Sequence, residues 1–307
     1  MRALTNAEFT VRHVQFHVLG LLGPMPRKIE YRASEFMNNL SRYKQMMRKL
    51  LGNGLATWVH AGRFAYLLCF TQQLYTEADM QSIEHFPLID TVVVDVGANS
   101  ANWTTILSRK VGKKGRVYAF EADPYYAEVT HKTVRILGLT NVCFFNFGLS
   151  DRSEILPLHI IDDLGQRVSG TGRVVQNNSV SKHQTVNVRL EALDQLAITY
   201  PELRKTSLIK CDVEGFELKV FYGAKNIIEE ARPIIIAEVG NPSPEGRESG
   251  SLFKFFRDMK YKSYITLSKN SIAPSGESGE ILDAHRPNRI FLPGEYQIPE
   301  TILQNDG

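Results

Sequence analysis

The sequence predicts an α/β fold with a mostly parallel sheet, helices on both faces of that sheet, and a helical N-terminal region. The run TVVVDV at residues 91–96 is short and nearly all apolar, which is typical of a strand buried on both faces of a parallel sheet. Segments with helical spacing then alternate with further short apolar runs, and this alternation is typical of strand–helix–strand units. Residues 1–74 instead have helical patterning without β-branched runs.

The predicted elements follow along the chain. Residues 35–51 place apolar side chains at helical spacing opposite a basic face. This pattern predicts a solvated amphipathic helix packed on the main domain, and a helix that binds a membrane surface or a partner is the alternative. The segment TEAD at residues 76–79 matches a capping box and predicts a helix start. Later helices are predicted at residues 101–109, 124–137 and 216–232, and later strands at residues 116–120, 141–147, 208–211, 233–239 and 289–292.

The chain is expected to divide near residue 75 into a helical N-terminal cap, residues 1–74, and a main domain, residues 75–307. Within the main domain, residues 151–190 interrupt the alternation of strands and helices with two alternating segments around a polar stretch. We interpret them as a β-excursion that carries a mobile loop. The loop at residues 162–184 is longer than a compact connection needs, so we predict a lid or binding loop.

Composition limits the class of protein. The chain is 43% apolar and 22% charged, as in ordinary soluble globular proteins. Its net charge of +3 gives no support to a nucleic-acid partner, and none is predicted. The three cysteines lack C-x-x-C spacing, which predicts reduced thiols and a cytoplasmic protein. The apolar run at residues 16–22 is too short to span a bilayer. A homo-oligomer formed through the N-terminal helices is left open.

The loop after the first strand predicts a ligand that contains a nucleoside. Asp95 lies near the end of the strand, and Gly97 allows the backbone to turn sharply and approach a ligand closely. Glu121 ends the second strand, where its carboxylate can accept hydrogen bonds from both hydroxyls of a ribose. Ligands of open α/β sheets bind at the carboxyl ends of the strands. NAD, FAD and S-adenosylmethionine all satisfy this arrangement, and a strand–turn–helix without a ligand is the plain structural alternative.

The missing glycines of this loop favour S-adenosylmethionine. Asn99 and Ala101 occupy positions where a dinucleotide loop has its further glycines. A pyrophosphate needs exposed backbone N–H groups over a glycine-rich helix start, whereas S-adenosylmethionine has no phosphate. Asn99 can contact the amino-acid end of this donor. An NAD(P)-dependent oxidoreductase is the second hypothesis, and a non-catalytic nucleoside-binding protein is the third.

The chain resembles the FkbM family of S-adenosylmethionine-dependent methyltransferases in four segments: VVDVGANSANWTTILS, GRVYAFEADP, LEALDQL and LIKCDVEGFELKVFYGAKNIIEEARPIIIAEV. The most specific part is IKCDVEGFE, and the family commonly has glycine where this chain has Ala101. The match runs from about residue 75 to residue 239 and more weakly to the strand at residues 289–292. It implies a class I methyltransferase fold, with S-adenosylmethionine as methyl donor. It also implies a small-molecule acceptor, a sugar or natural product that is methylated on a hydroxyl.

We predict that the donor is surrounded by residues at the ends of the strands. They are Asp95, Gly97, Asn99, Glu121, Ala122, Phe147, Gly148 and Asp212. Asp212 has an alternative role, a hydrogen bond to the donor or to a helix N-terminus without any part in the chemistry.

Methyl transfer to an alcohol needs an in-line approach of the oxygen and a group that removes its proton. Asp212 and Glu238 end two strands that a doubly wound sheet places side by side, and Glu214 follows close behind. Repulsion within such an acidic cluster raises one carboxyl pKa unless a cation or lysine intervenes. Such clusters can bind Mg²⁺, but no ligand spacing requires a metal and none is predicted. The candidate bases are Asp212, Glu238 and two loop histidines, His183 and His285.

Overall fold

The computed structural model describes residues 52, 54–69, 78–160, 185–239, 247–268, 271–275, 288–299 and 302–303. The predicted amphipathic helix at residues 35–51, the start of the TEAD segment and the predicted loop at residues 162–184 lie outside these residues. A helix at residues 54–69 (α1) precedes the short helix Ala78–Ser82 (α2). None of the described helices is both long enough and apolar enough to cross a membrane.

The central sheet contains eight strands within the described residues. They are Val92–Val96 (β1), Arg116–Phe120 (β2), Val142–Phe145 (β3), Thr206–Cys211 (β7), Ile234–Glu238 (β8), Tyr261–Ser268 (β9), Ser271–Pro274 (β10) and Asn288–Pro293 (β11). Their order is β10-β9-β11-β8-β7-β1-β2-β3. The five strands from β8 to β3 run parallel, whereas β11 is antiparallel to both of its neighbours, β8 and β9.

Six further helices accompany the sheet in the described part of the chain. They are Asn102–Val111 (α3), Pro124–Ile136 (α4), Leu193–Thr199 (α5), Glu217–Tyr222 (α6), Lys225–Ala231 (α7) and Arg247–Asp258 (α8). Alternate strand residues point to opposite faces of the sheet. Val93, Leu208 and Ile236 pack on one face with α3, through Trp103 and Leu107. The intervening residues of these strands pack on the other face with α6, α7 and α8. The predicted layered α/β architecture is confirmed.

The segment predicted as one helix at residues 216–232 forms two, α6 and α7. The break falls at Gly223, where a Cβ atom would lie 1.9 Å from the carbonyl oxygen of Ser150. The backbone of another segment therefore passes too close to Gly223 for any side chain to fit. The single-helix prediction was wrong because helical spacing continues across a glycine that packing requires.

Asp194, the aspartate of LEALDQL, caps α7 from a distant part of the sequence. Its carboxylate accepts hydrogen bonds from the backbone N–H groups of Asn226 and Ile227 at 2.9 and 3.0 Å. These are among the N–H groups that the first turn of a helix leaves without an intrahelical partner. The cap therefore fixes the start of α7 against α5.

The interval between residues 151 and 190 contains a small second sheet. Its strands are Gly148–Leu149 (β4), Glu154–His159 (β5) and Thr185–Glu191 (β6), in the order β4-β6-β5. The strands β5 and β6 pair antiparallel. Apolar side chains of this pair pack with Val213 and Phe216, which lie in the loop after β7. The second sheet thus covers the segment DVEGF.

Candidate active site

The strands β1, β2, β7 and β8 run parallel, so their carboxyl ends lie at one edge of the sheet. This edge is the place where open α/β sheets bind ligands. The residues that follow these strands include most of the predicted site.

The loop after β1 has the backbone conformation of a glycine-rich turn. Gly97, Asn99 and Ala101 have φ angles of 80°, 49° and 71°, in the left-handed region that glycine adopts freely. Asparagine tolerates this region, whereas for alanine it costs roughly 1–2 kcal/mol. Ala101 is also fully buried. The backbone at Asn99 and Ala101 is therefore left-handed even though neither residue is glycine. The missing glycines are a weaker argument against a bound dinucleotide than the sequence suggested.

Gly97 also brings two loops into contact. A Cβ atom on this residue would lie 2.0 Å from the backbone oxygen of Asp212. The loops after β1 and β7 are therefore in direct backbone contact, which places Asp212 beside the predicted donor site.

Asp95 is a buried acceptor beneath this loop. Its side chain is almost inaccessible to solvent, and its Oδ2 accepts a hydrogen bond from the Thr104 hydroxyl at 2.5 Å. Its Oδ1 is buried and has no hydrogen-bond partner among the described residues. Burial raises the pKa of Asp95 to about 6. One carboxylate oxygen of Asp95 therefore receives no hydrogen bond from the described polypeptide.

Glu121 ties the loop after β1 to the start of α4. Its Oε2 accepts the backbone N–H of Asn99 at 2.7 Å, and its Oε1 accepts the backbone N–H of Asp123 at 2.8 Å. Burial raises the pKa of Glu121 to about 7, and the two N–H bonds only partly oppose this rise. Each carboxylate oxygen can accept a further hydrogen bond. The sequence prediction of ribose binding did not include this structural role.

Packing accounts for the other residues predicted near the donor. The ring of Phe147 lies against the aromatic rings that end β2 and β3, and the Arg189 guanidinium lies 5.0 Å from its centre. A Cβ atom on Gly148 would lie 2.7 Å from the Leu190 side chain and 3.1 Å from the Cβ of Ala122. These contacts explain the residue types, and contact of Ala122, Phe147 and Gly148 with the donor stays a prediction.

Asp212, Glu214 and Glu238 form the acidic cluster that the sequence predicted. One carboxylate oxygen of each lies within 4.8 Å of the others. The pKa of Glu238 is raised to about 8 by burial and by the negative charge of Asp212 beside it. Glu238 is therefore the carboxyl of this cluster that binds a proton most readily near neutral pH.

A lysine keeps Asp212 ionised. Burial alone would raise the Asp212 pKa, but the Lys210 ammonium and the Glu238 hydrogen bond together lower it below its usual value. The Lys210 Nζ lies 3.1 Å from the Asp212 Oδ2. The distances between the three carboxylates also allow a divalent cation.

Glu217 has the structural role that its place at a helix start indicates. Its carboxylate accepts the backbone N–H groups of Val213 and Gly215 at 2.9 and 3.0 Å. It thereby holds the loop that carries Glu214, whose φ of 57° is left-handed. The predicted histidines, His183 and His285, lie outside the described residues.

The strand order and the carboxylates at the strand ends are consistent with a class I methyltransferase, and the comparison with known families decides between a methyl donor and a dinucleotide. A family model described as the methyltransferase FkbM domain matches residues 95–263, which is more than half of the chain. The chain belongs to the FkbM family of S-adenosylmethionine-dependent methyltransferases, as its sequence resemblance implied.

Curated relatives include two methyltransferases. Methyltransferase sdnD from Sordaria araneosa is 26% identical over 204 residues, which cover 59% of this chain and 76% of sdnD. Hexuronic acid methyltransferase AglP from Haloferax volcanii is 27% identical over 148 residues, covering 48% of this chain and 55% of AglP. Among solved structures, a methyltransferase FkbM from Methylobacillus flagellatus KT matches 84% of this chain and 60% of its own, at 13% identity and a TM-score of 0.45. The chain thus spans little more than half of AglP and of this crystal structure.

S-adenosylmethionine is the methyl donor, and the residues present fit it. Asp95, with its unpartnered Oδ1, lies beneath the loop where the amino-acid end of the donor is predicted to bind, and its contact with the donor stays a prediction. Glu121, held by two backbone N–H groups, presents its remaining acceptor capacity at the end of β2, where a ribose would lie. The left-handed turn at residues 97–101 lies between these two carboxylates in sequence.

Substitution of Glu121 by Gln is expected to weaken donor binding at least tenfold. The change removes the charge that receives the ribose hydroxyls, and one charge-assisted hydrogen bond contributes roughly 1.5–3 kcal/mol, more than the 1.4 kcal/mol of a tenfold change. Calorimetric titration with S-adenosylmethionine measures the Kd. Glu84→Gln, which changes an exposed carboxylate paired with Lys110, is the control. An unchanged Kd in Glu121→Gln would remove Glu121 from the ribose site.

Proposed function

We propose that this methyltransferase transfers the methyl group of S-adenosylmethionine to a hydroxyl of a small polar acceptor, such as a sugar, a glycoside or a natural-product intermediate. The observation that carries the proposal is the Asp212–Glu238 pair at the ends of adjacent strands, in which the pKa of Glu238 is about 8. A hydroxyl is a poor nucleophile unless its proton is removed as it reacts, and a carboxylate with a pKa near the working pH is a suited base.

In this proposal Glu238 is the general base and Asp212 orients it. When bound, S-adenosylmethionine supplies an electrophilic methyl carbon, and the acceptor oxygen displaces the sulfur, which keeps the electron pair of the broken bond. The ionised Glu238 carboxylate accepts the hydroxyl proton, and its protonated form then donates a hydrogen bond to Asp212. His183 and His285 remain alternative bases on sequence grounds.

The acidic cluster also supports a polyhydroxy acceptor. Glu214 lies with Asp212 and Glu238 at the end of the sheet, and ionised carboxylates accept hydrogen bonds without donating any. Several neighbouring carboxylates can accept hydrogen bonds from a molecule that carries several hydroxyl groups. The similarity to a hexuronic acid methyltransferase supports the same chemical class.

The cysteines support a cytoplasmic location. Cys69, Cys143 and Cys211 are free thiols in the structure, and such thiols persist in reducing compartments. We therefore infer that acceptor methylation takes place in the cytoplasm.

The test is a panel of acceptors offered with isotope-labelled S-adenosylmethionine. Hexuronic acids and simple glycosides with free hydroxyls should gain one labelled methyl group, which NMR of the product should place on a hydroxyl oxygen as an ether and not on the carboxylate as an ester. The matched controls are the same acceptors with their hydroxyls blocked, which should remain unlabelled. A methyl group found on nitrogen or carbon would contradict the proposal. Activity that EDTA abolishes and Mg²⁺ restores would replace Glu238 as base with a metal-bound alkoxide.

A further inference from the structure

Lys210 is a charged residue in the middle of the central sheet. It lies on β7, where it pairs in register with Asp95 on β1 and with Ile236 on β8. Its side chain is only 1% exposed. An isolated ammonium in such a place is very costly, so a buried lysine must be paired or lose its proton.

The surroundings of Lys210 keep it charged. Burial would lower its pKa, but Asp212 and Asp95 raise it above its usual value. Its Nζ donates a hydrogen bond to the Asp212 Oδ2 at 3.1 Å and lies 5.4 Å from the centre of the Trp103 ring. Side chains two residues apart on a strand lie on the same face of the sheet. The Lys210 ammonium and the Asp212 carboxylate are therefore on one face of β7.

We propose that Lys210 is a positioning residue, which fixes Asp212 as an anion so that the proton of the Asp212–Glu238 pair lies on Glu238. The geometry supports this assignment, because the Asp212 carboxylate lies 3.1 Å from the buried Lys210 ammonium and has an oxygen within 4.8 Å of one of Glu238. Lys210 would thereby decide which of the two carboxylates serves as the base. The catalytic part of this inference rests on the proposed function.

Other groups around the pair do not duplicate this effect. Its titratable neighbours among the described residues are Asp95 on β1, Cys211 beside Lys210, and Glu214 and Glu217 after β7. The negative charges of these carboxylates favour a proton on the Asp212–Glu238 pair, which is the opposite of the effect of Lys210. Burial raises the pKa of the Cys211 thiol well above its usual value. The buried Arg289 on β11 pairs in register with Ala237, so its side chain leaves the sheet on the face opposite to Glu238. Lys210 is the cation that acts on Asp212 in the described structure.

In wild type, kcat should rise with pH near pH 8. In Lys210→Met this rise is expected at a pH at least about one unit higher. Without the positive charge, the state in which both carboxylates are ionised becomes less favourable. The value of kcat at pH 7 should fall at least about tenfold in consequence. Lys210→Arg keeps the charge and should return the rise to its wild-type pH. A lower melting temperature with the rise still near pH 8 would show a structural role only and overturn the proposal.

A second measurement needs neither catalysis nor a Lys210 variant. Carboxyl ¹³C NMR on protein labelled selectively at Glu or Asp side chains follows each group, with assignments from Glu238→Gln and Asp212→Asn. The Glu238 signal should titrate near pH 8, and the Asp212 signal should stay flat between pH 5 and about 9. A titration of Asp212 in place of Glu238 would overturn the assignment. Because this experiment uses no acceptor, its result is independent of whether the enzyme methylates a hydroxyl.

Discussion

Glu238→Gln is expected to lower kcat by roughly 10²–10⁴, the usual contribution of a general base. Glutamine keeps the shape of the side chain but cannot accept the hydroxyl proton. The dissociation constant for S-adenosylmethionine should change little, since the predicted donor contacts lie at other strand ends. Single-turnover measurements at saturating donor separate these two quantities.

The pH dependence gives the same variant a second readout. Because the pKa of Glu238 is raised to about 8, the base is mostly protonated at pH 7 and ionised above pH 8. Wild-type kcat should therefore rise with pH through about 8 and level off above about 9, and the rise should disappear in Glu238→Gln. Glu229→Gln, on the exposed face of α7, is the control and should keep the wild-type profile. A near-normal kcat in Glu238→Gln would direct attention to His183 and His285.

Gly97→Ala is expected to lower the free energy of unfolding by about 2–5 kcal/mol and to weaken donor binding at least tenfold. The new Cβ atom would lie 2.0 Å from the Asp212 backbone oxygen, so one of the two loops must move. The φ of +80° adds strain for any residue with a Cβ atom. Chemical denaturation measures the stability, and calorimetric titration measures the donor affinity.

Gly138→Ala is the matched control for this substitution. Gly138 also has a positive φ, +63°, but no atom lies within 4 Å of the position of a new Cβ. Its cost should therefore be backbone strain alone, roughly 1–2 kcal/mol, with donor binding unchanged. Equal losses of stability in the two variants would show that the contact between the loops after β1 and β7 is unimportant.

The sequence predicted the strands and the residues at their ends for one physical reason. Doubly buried parallel strands are short apolar runs, and their carboxyl ends meet at one edge of the sheet. That rule alone places Glu121, Asp212 and Glu238 together. It does not reveal that Glu121 accepts two backbone N–H groups, because no local pattern records bonds between distant segments.

Other features were missed although a signal was present. Lys210 interrupts an apolar strand, and its spacing of two residues from Asp212 places both on one face. This spacing could have indicated the ion pair. The strands β9 and β10 were not predicted, since YKSYITLS mixes polar and apolar residues at the edge of the sheet. Ala101 could not be predicted in a left-handed conformation, because alanine itself gives no reason to expect it.

The position of β11 bears on how the chain folds as it is synthesised. This strand, Asn288–Pro293, inserts between β8 and β9, so β8 cannot pair with it until some fifty further residues after β8 have been synthesised. Unpaired apolar edges invite association with other chains, and pairing over long sequence separations is slow. Asn288 then pairs in register with Glu238. Among the described strands of the sheet, the last to be synthesised is thus the one that pairs with the proposed base, and a nascent chain completes this side of its active site late.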